Sequence, residues 1–313
     1  MRRALLALLS AAVLAAPACS GSDPAPSSPD PNAMGPTGSG AGPSATGHSG
    51  TAETAEAGLP DPEAWIPREP GALAADLEAT RRARRQSIER WIASGGPDAW
   101  PPPEDVELLT LHEQLIYRVL AANDRLAKQV LRRLDKGVAG EARANVLAGG
   151  ALYDHFSPVK TLPDFRMRSP EPADTLRAYF EEGERRFGVH WQLLAAVMLI
   201  ETRMGRIVSN SSAGAQGPMQ FIPSTWAAYG LGGDVRDDHD SVLGAANYLS
   251  ANGAPNEDRN ALFHYNPVPA YVTAVTRYAK AMEQDPDLFY AYYNWQVFVR
   301  TTRGDVRLTG PGL

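Results

Sequence analysis

Between residues 104 and 134 the chain places Leu108, Leu111, Leu115, Val119, Ala122, Leu126, Val130 and Leu134 three and four positions apart. That spacing predicts one apolar stripe along a helix starting at Glu104, after Pro101 to Pro103 have punctuated the chain. Leu73 to Ile92 is a second amphipathic stretch, richer in charge. Residues 191 to 200 differ. Trp191, Leu193, Leu194, Ala195, Val197, Met198, Leu199 and Ile200 leave almost no polar face, which predicts a helix buried on every side. Pro223 opens a short helix over Ser224 to Tyr229, stopped by Gly230. Ser241 to Ala251 is a further helical run with Asp240 as its expected cap. Near the C-terminus Phe289, Tyr290, Tyr292, Tyr293, Trp295 and Phe298 keep helix-compatible spacing and are expected to pack against the body. The chain reads as mainly α, and no internal repeat is visible.

The N-terminal segment has a different composition. Arg2 and Arg3 precede an apolar run from Ala4 to Ala16 that is too short to span a bilayer, which takes about 20 apolar residues, and small residues follow. Residues 1–18 therefore read as a secretory signal peptide, and the protein as exported. Cys19 is the one cysteine of the chain, so no internal disulfide is available. Its place after Ala16-Pro17-Ala18 resembles the lipobox of bacterial lipoproteins, which implies lipidation at Cys19 and a membrane anchor; the alternative is cleavage nearby and simple secretion. Residues 19–63, rich in Pro, Gly, Ser, Ala and Thr, cannot bury a core and read as a disordered tether. Setting aside the tether's six acids and the two signal arginines leaves 28 basic and 30 acidic residues in the body. So even a balance offers nucleic acid no basic face. Arg81, Arg82, Arg84, Arg85 and Arg90, interleaved with Asp76, Glu78 and Glu89, are expected to form a solvated helix face.

The candidate chemistry starts at the end of the apolar helix, where Glu201 stands. A carboxylate there is costly to ionise, so a raised pKa would let it hold a proton for donation to a leaving group. On the helix alone, an ion pair with Arg203 or Arg206 is the plainer use. A polar loop follows, Ser209-Asn210-Ser211-Ser212 leading into Gly214-Ala215-Gln216-Gly217-Pro218-Met219-Gln220-Phe221, whose glycines let backbone approach a ligand. Beyond it come Asn247 and Tyr248, Tyr265 and Asn266, and Tyr271 and Tyr278, residues suited to stacking on and hydrogen bonding a sugar.

Glu201-Thr202, Gly214 to Gln220 and His264-Tyr265-Asn266, in that order, resemble the three motifs of the soluble lytic transglycosylase family. There Glu-Ser, Gly-x-x-Gly-Leu-Met-Gln and Ala-Tyr-Asn are usual. The resemblance covers Phe187 to Met282, and Tyr292 to Val297 is similar to a subgroup found in exported bacterial proteins. It implies a lysozyme-like, mainly helical α+β catalytic domain over 171–313 with a helical tail, preceded by a helical accessory region over 64–170. It also implies a substrate, the glycan strands of peptidoglycan, and roles: Glu201 as catalytic acid and base, with Ser211, Gln220, Tyr265 and Asn266 lining the cleft. No cofactor and no metal are implied.

Two alternatives stay open. A hydrolytic muramidase needs a second carboxylate, about 5 Å or about 6.5–9.5 Å from the first, and Asp234, Asp237, Asp238 and Asp240 are the dense supply. A non-catalytic wall-binding or scaffold protein would use the helical region instead. Neither metal motif is complete: the acidic loop has Ala245 where a calcium loop needs its glutamate, and after His112-Glu113, Ile116 stands where zinc needs a second histidine.

Overall fold

The computed structural model describes residues 58–308. The signal segment, Cys19 and most of the 19–63 tether lie outside the described residues. Helix α1 (Pro70–Ala93) starts on Glu69, whose carboxylate accepts the Gly71 and Ala72 amides at 2.9 and 2.6 Å, with Pro70 in the first turn. Then come α2 (Glu104–Ala121), α3 (Asp124–Leu131) and α4 (Lys136–His155). The stripe expected as one helix is thus two. Asn123 caps α3, its Oδ1 accepting the Leu126 amide at 3.0 Å, a bond that turns the backbone out of the preceding helix. Ala122 and Leu126 stand four apart, so the apolar spacing runs through the break.

The remaining helices are α5 (Ala173–Phe187), α6 (Trp191–Thr202), α7 (Pro223–Tyr229), α8 (Asp238–Ala251), α9 (Asp258–Tyr265), α10 (Pro269–Gln284) and α11 (Leu288–Tyr293). Asp237, not Asp240, caps α8, accepting the Asp240 amide at 2.9 Å. Helix α10 lies between α4 and α6, while α5 packs on α6 and α8, and α1 and α2 pack on each other. One apolar core therefore runs from Ile66 to Trp295. In α6 every residue from Leu193 to Leu199 is buried, as the all-round apolar pattern predicts. Each large side chain so buried contributes about 1.5–3 kcal/mol, enough to hold the end of this helix in place.

Two arginines depart from the solvated face expected of α1: Arg81 is half-buried with its Nε 2.5 Å from Glu141 Oε2, and Arg84 goes further. Arg84 is fully buried, its Nη2 2.6 Å from Glu141 Oε1 and its Nε 3.1 Å from Glu113 Oε2, because α2 and α4 turn those acids inward against it. Burial pushes the Glu113 carboxyl up, against the pull of Arg84. His112 turns to Asp76 at 3.0 Å.

The C-terminal aromatics pack inward as expected: Phe289 meets Phe180 and Trp191 edge-on, and Trp295 meets Tyr278. The tail is not all helical, however. Beyond α11, Gln114 holds the Gln296 backbone through both side-chain amide atoms, and β1 (Val297–Thr301) pairs antiparallel with β2 (Gly304–Leu308), Val297 opposite Leu308 and Thr301 opposite Gly304. The β-branched Val297, Val299 and Thr301 alternate along β1, a pattern that suits a pleated surface better than a helix. Among the described residues no helix is long and apolar enough to cross a membrane.

Candidate active site

Helix α6 delivers Glu201 to its C-terminal end with the side chain almost fully buried, 2 % exposed. The chain then turns sharply. Arg203, Met204 and Gly205 all take left-handed backbone conformations, at φ 53°, 58° and 79°, which for the first two residues stores strain of about 1–2 kcal/mol each. The turn is held from outside. Arg168 donates from Nε to Gly205 O at 3.0 Å, its amide donates to Arg206 O at 2.9 Å, and its guanidinium pairs with Asp238. Burial pushes the Asp238 carboxyl up to about 6, although Arg168 pulls the other way.

The Gly214 to Gln220 loop sits against this turn. Ser211 closes its start: its Oγ accepts the Ala215 amide at 3.0 Å, and its own amide donates to Ala215 O at 3.0 Å. Gln216 and Phe221 exchange both backbone hydrogen bonds, making a tight hairpin, with Gly217 at φ 74° and Gln220 at φ 53°. A Cβ on Gly217 would lie 1.7 Å from Val235 O, so only glycine fits. Two hydroxyls pin the tip. Thr202 Oγ1 donates to Pro218 O at 2.6 Å while accepting the Gly205 amide at 3.1 Å, and Tyr265 donates to Met219 O at 2.5 Å. Thr202 therefore ties both the loop and the turn to the residue beside Glu201.

Around the carboxyl stand two tyrosines. Burial raises the Tyr271 hydroxyl pKa well above its ordinary value, and the neighbouring Glu201 carboxylate raises it further by charge and by a hydrogen bond. Tyr265 is raised by burial and then by the charge of Glu201. Both phenols thus stay protonated and can donate. The acceptors Gln220 Oε1 and Asn266 Oδ1 are buried without a protein hydrogen-bond partner, in residues 3 % and 1 % exposed. Buried acceptors are rarely left so unless a water or ligand meets them, and sugar hydroxyls are suitable donors. The neighbouring arginines direct nitrogens to carbonyls, Arg203 Nη1 to Leu199 O and Arg206 Nη1 to Tyr293 O.

Of the residues expected from sequence, Glu201 and Tyr265 are neighbours, and Gln220 lies in the hairpin whose tip Tyr265 pins. Asn266 follows Tyr265 at the end of α9, and Ser211 stands at the root of the loop. Tyr271, picked out only as one of several sugar-suited residues, proves to be a partner of Glu201 itself; its signal is a tyrosine in the first turn of α10, just after the Tyr265-Asn266 pair. The bracing roles of Thr202 and of Arg168 with Asp238 had no local signal.

The acidic loop is occupied. Asp237 caps α8, Asp238 pairs with Arg168, Asp240 Oδ2 accepts the Asp234 amide at 2.9 Å, and Asp234 Oδ1 accepts the Arg236 amide at 2.9 Å. Asp237, His239 and Asp240 bring one possible ligand atom each within 4.8 Å of one another. His239 Nε2, however, lies 2.9 Å from Glu182, so the grouping reads as local bonding.

Residues 178–288 match the family model described as Transglycosylase SLT domain. Over 159 residues the chain is 28% identical to a membrane-bound lytic murein transglycosylase F of Thiobacillus denitrificans, covering 47% of this chain and 33% of that protein. The chain thus spans about a third of the length of the curated relative it matches. No solved structure matches. Glu201, the Gly214 to Gln220 loop, Tyr265 and Tyr271 all fall inside the matched segment.

Proposed function

We propose, from the match of residues 178–288 to the transglycosylase SLT domain model, that this chain is a peptidoglycan lytic transglycosylase acting through Glu201. The observation that carries this reading is the buried Glu201 carboxyl facing the Tyr271 hydroxyl, beside a loop that Thr202 and Tyr265 fix in place. Glu201 in its acid form gives its proton to the glycosidic oxygen between N-acetylmuramic acid and N-acetylglucosamine, and the bond from that oxygen to the muramoyl C1 breaks. As carboxylate it then takes the proton of the muramoyl C6 hydroxyl, whose oxygen bonds to C1 and closes a 1,6-anhydro ring. The acid is regenerated and no water is consumed.

Ser211, Gln220, Tyr265 and Asn266 line the cleft in this reading. The two partnerless acceptors receive hydrogen bonds from sugar hydroxyls, and no metal or cofactor takes part. Hydrolysis would need a second carboxylate, and each aspartate of the 234–240 loop already serves a cap, an ion pair or a backbone amide. Mass spectrometry of the fragments released from purified peptidoglycan tests the assignment. Products ending in anhydromuramic acid, one water lighter than hydrolytic ones and absent with Glu201→Gln, are expected. Reducing ends, or activity retained by that variant, would overturn it.

Export, with residues 1–18 as signal peptide and lipid attachment at Cys19, places the enzyme at the cell envelope. Labelling with a fatty-acid analogue is expected to mark the wild type and not Cys19→Ala. An unlabelled wild type would mean secretion without an anchor.

A further inference from the structure

Tyr271, whose hydroxyl meets Glu201, also walls a cavity of about 110 Å³ formed by α2, α4, α6, α10 and the C-terminal hairpin. Three arginines line it, Arg118, Arg203 and Arg300, against one acid, Asp305. Arg118 Nη2 lies 2.6 Å from Asp305 Oδ2, so that pair is neutralised. Two guanidinium charges face no acid among the lining side chains.

Arg203 is the nearer to the chemistry, two positions after Glu201. Its Nη1 donates to Leu199 O at 2.6 Å and its Nε is buried without an acceptor. Its electrostatic neighbours are the Tyr278 hydroxyl and a second cation, Arg118. Burial pushes its pKa down to about 10, which still leaves it charged at neutral pH. Arg300 bonds the Tyr153 and Phe156 carbonyls through its two Nη atoms, and its Nε, like Trp295 Nε1, is buried without an acceptor. The lining thus holds three buried donors that lack acceptors, two of them cationic. An anion rich in acceptor oxygens matches that set, and the guanidinium fork suits carboxylate and phosphate oxygens alike; of the two, the glycan substrate proposed above carries carboxylates.

Resting on the reading of the substrate given above, we infer that this cavity takes a carboxylate carried on the side arm of the muramic acid residue, so that the acid-bearing arm is recognised along with the sugar ring. The carboxylate has two possible sources of one chemistry, the lactyl group itself or the acidic peptide joined to it.

The test is equilibrium binding by the full-chain Glu201→Gln protein to three soluble tetrasaccharides. They are a wall fragment bearing its peptides, the same fragment stripped by an amidase to free lactyl carboxylates, and a neutral oligomer of N-acetylglucosamine. At least tenfold tighter binding of an acid-bearing ligand than of the neutral one is expected, shrinking as salt is raised. Preference for the first ligand assigns the peptide, preference for the second the lactyl group. Adding Arg203→Gln is expected to cut the difference to less than threefold. Asp305→Asn, an exposed change that removes the one acid, is expected to widen it. Equal affinities overturn the inference, as does a folded Arg203→Gln variant that keeps the preference or an Asp305→Asn variant that does not strengthen it. A wild type that cleaves peptidoglycan while its Glu201→Gln form binds all three alike loses this inference alone; one that neither cleaves nor binds loses the functional reading with it.

Discussion

Two glycines of one loop separate the cost of a backbone conformation from the cost of a contact. Gly214 and Gly217 have nearly the same φ, 80° and 74°, but a Cβ on Gly214 meets nothing within 4 Å, whereas one on Gly217 lies 1.7 Å from Val235 O. Alanine at 214 therefore carries only the left-handed penalty, roughly 1–2 kcal/mol, which lowers Tm by a few degrees in a domain of about 250 residues. Alanine at 217 carries that penalty and a collision with a backbone carbonyl, which has no rotamer to escape into, so the loop itself must retreat. Pro218 is held to the Glu201 turn by Thr202 and Met219 to the end of α9 by Tyr265, and a shift on the order of 1 Å at reacting groups costs about 100-fold in rate. Gly214→Ala is expected to lose stability modestly and keep most activity. Gly217→Ala should lose at least twice as much stability and about 100-fold in release of anhydromuramoyl fragments. Calorimetry and fragment release read the two effects separately. Indistinguishable variants, or a fully active Gly217→Ala, would refute the claim that contact with Val235 sets the loop.

Tyr265→Phe removes the donor to Met219 O and leaves a buried carbonyl unmet, for an expected loss of about 1–3 kcal/mol in denaturant unfolding; unchanged stability would show that the hydroxyl does not hold the loop. Asp238 gives a pH signature. Its pKa is raised from 3.8 to about 6 by burial, so its contribution favours the folded state fully below about pH 4 and is lost as pH rises through 6. The gap corresponds to about 3 kcal/mol. Asp238→Asn cannot titrate and also loses the charge facing Arg168, so whatever the offset at pH 4, the stability difference should move in the variant's favour by up to that amount between pH 4 and pH 7, and a difference that does not vary with pH would contradict this.

The elements that sequence announces best are those whose signal is local. The apolar run of α6 and the Pro-to-Gly limits of α7 needed no partner to be read. Arg84 needed two, Glu113 and Glu141, 29 and 57 positions away on other helices, so a charged cluster that reads as solvated is in part a buried ion network. The break at Asn123 was hidden because apolar positions kept their phase across it, and the hairpin after Asn294 because aromatic residues of the preceding helix set the pattern. Asp237 and Asp240 are equally good caps by type, and only the bond to the Asp240 amide distinguishes them.

The candidate site follows the same division. The residue types that carry chemistry were legible, while their positions depend on backbone carbonyls, which sequence does not display: Gly205 O, Pro218 O, Met219 O and Val235 O. This explains how residues that differ from the motifs the chain resembles still make these bonds. Thr202 supplies the same hydroxyl that serine would, and it reaches position 218 through the carbonyl, an atom that proline retains while lacking only the amide hydrogen. Two of the three departures thus meet in one hydrogen bond that neither disturbs. The third, His264, contributes its carbonyl to the Tyr248 hydroxyl at 2.8 Å, again through an atom common to every residue type. At 218 and 264 the fold uses a backbone carbonyl, which any residue supplies, and at 202 a hydroxyl, which serine or threonine supplies, whereas Gly217 is fixed because there the backbone itself is what a neighbour touches.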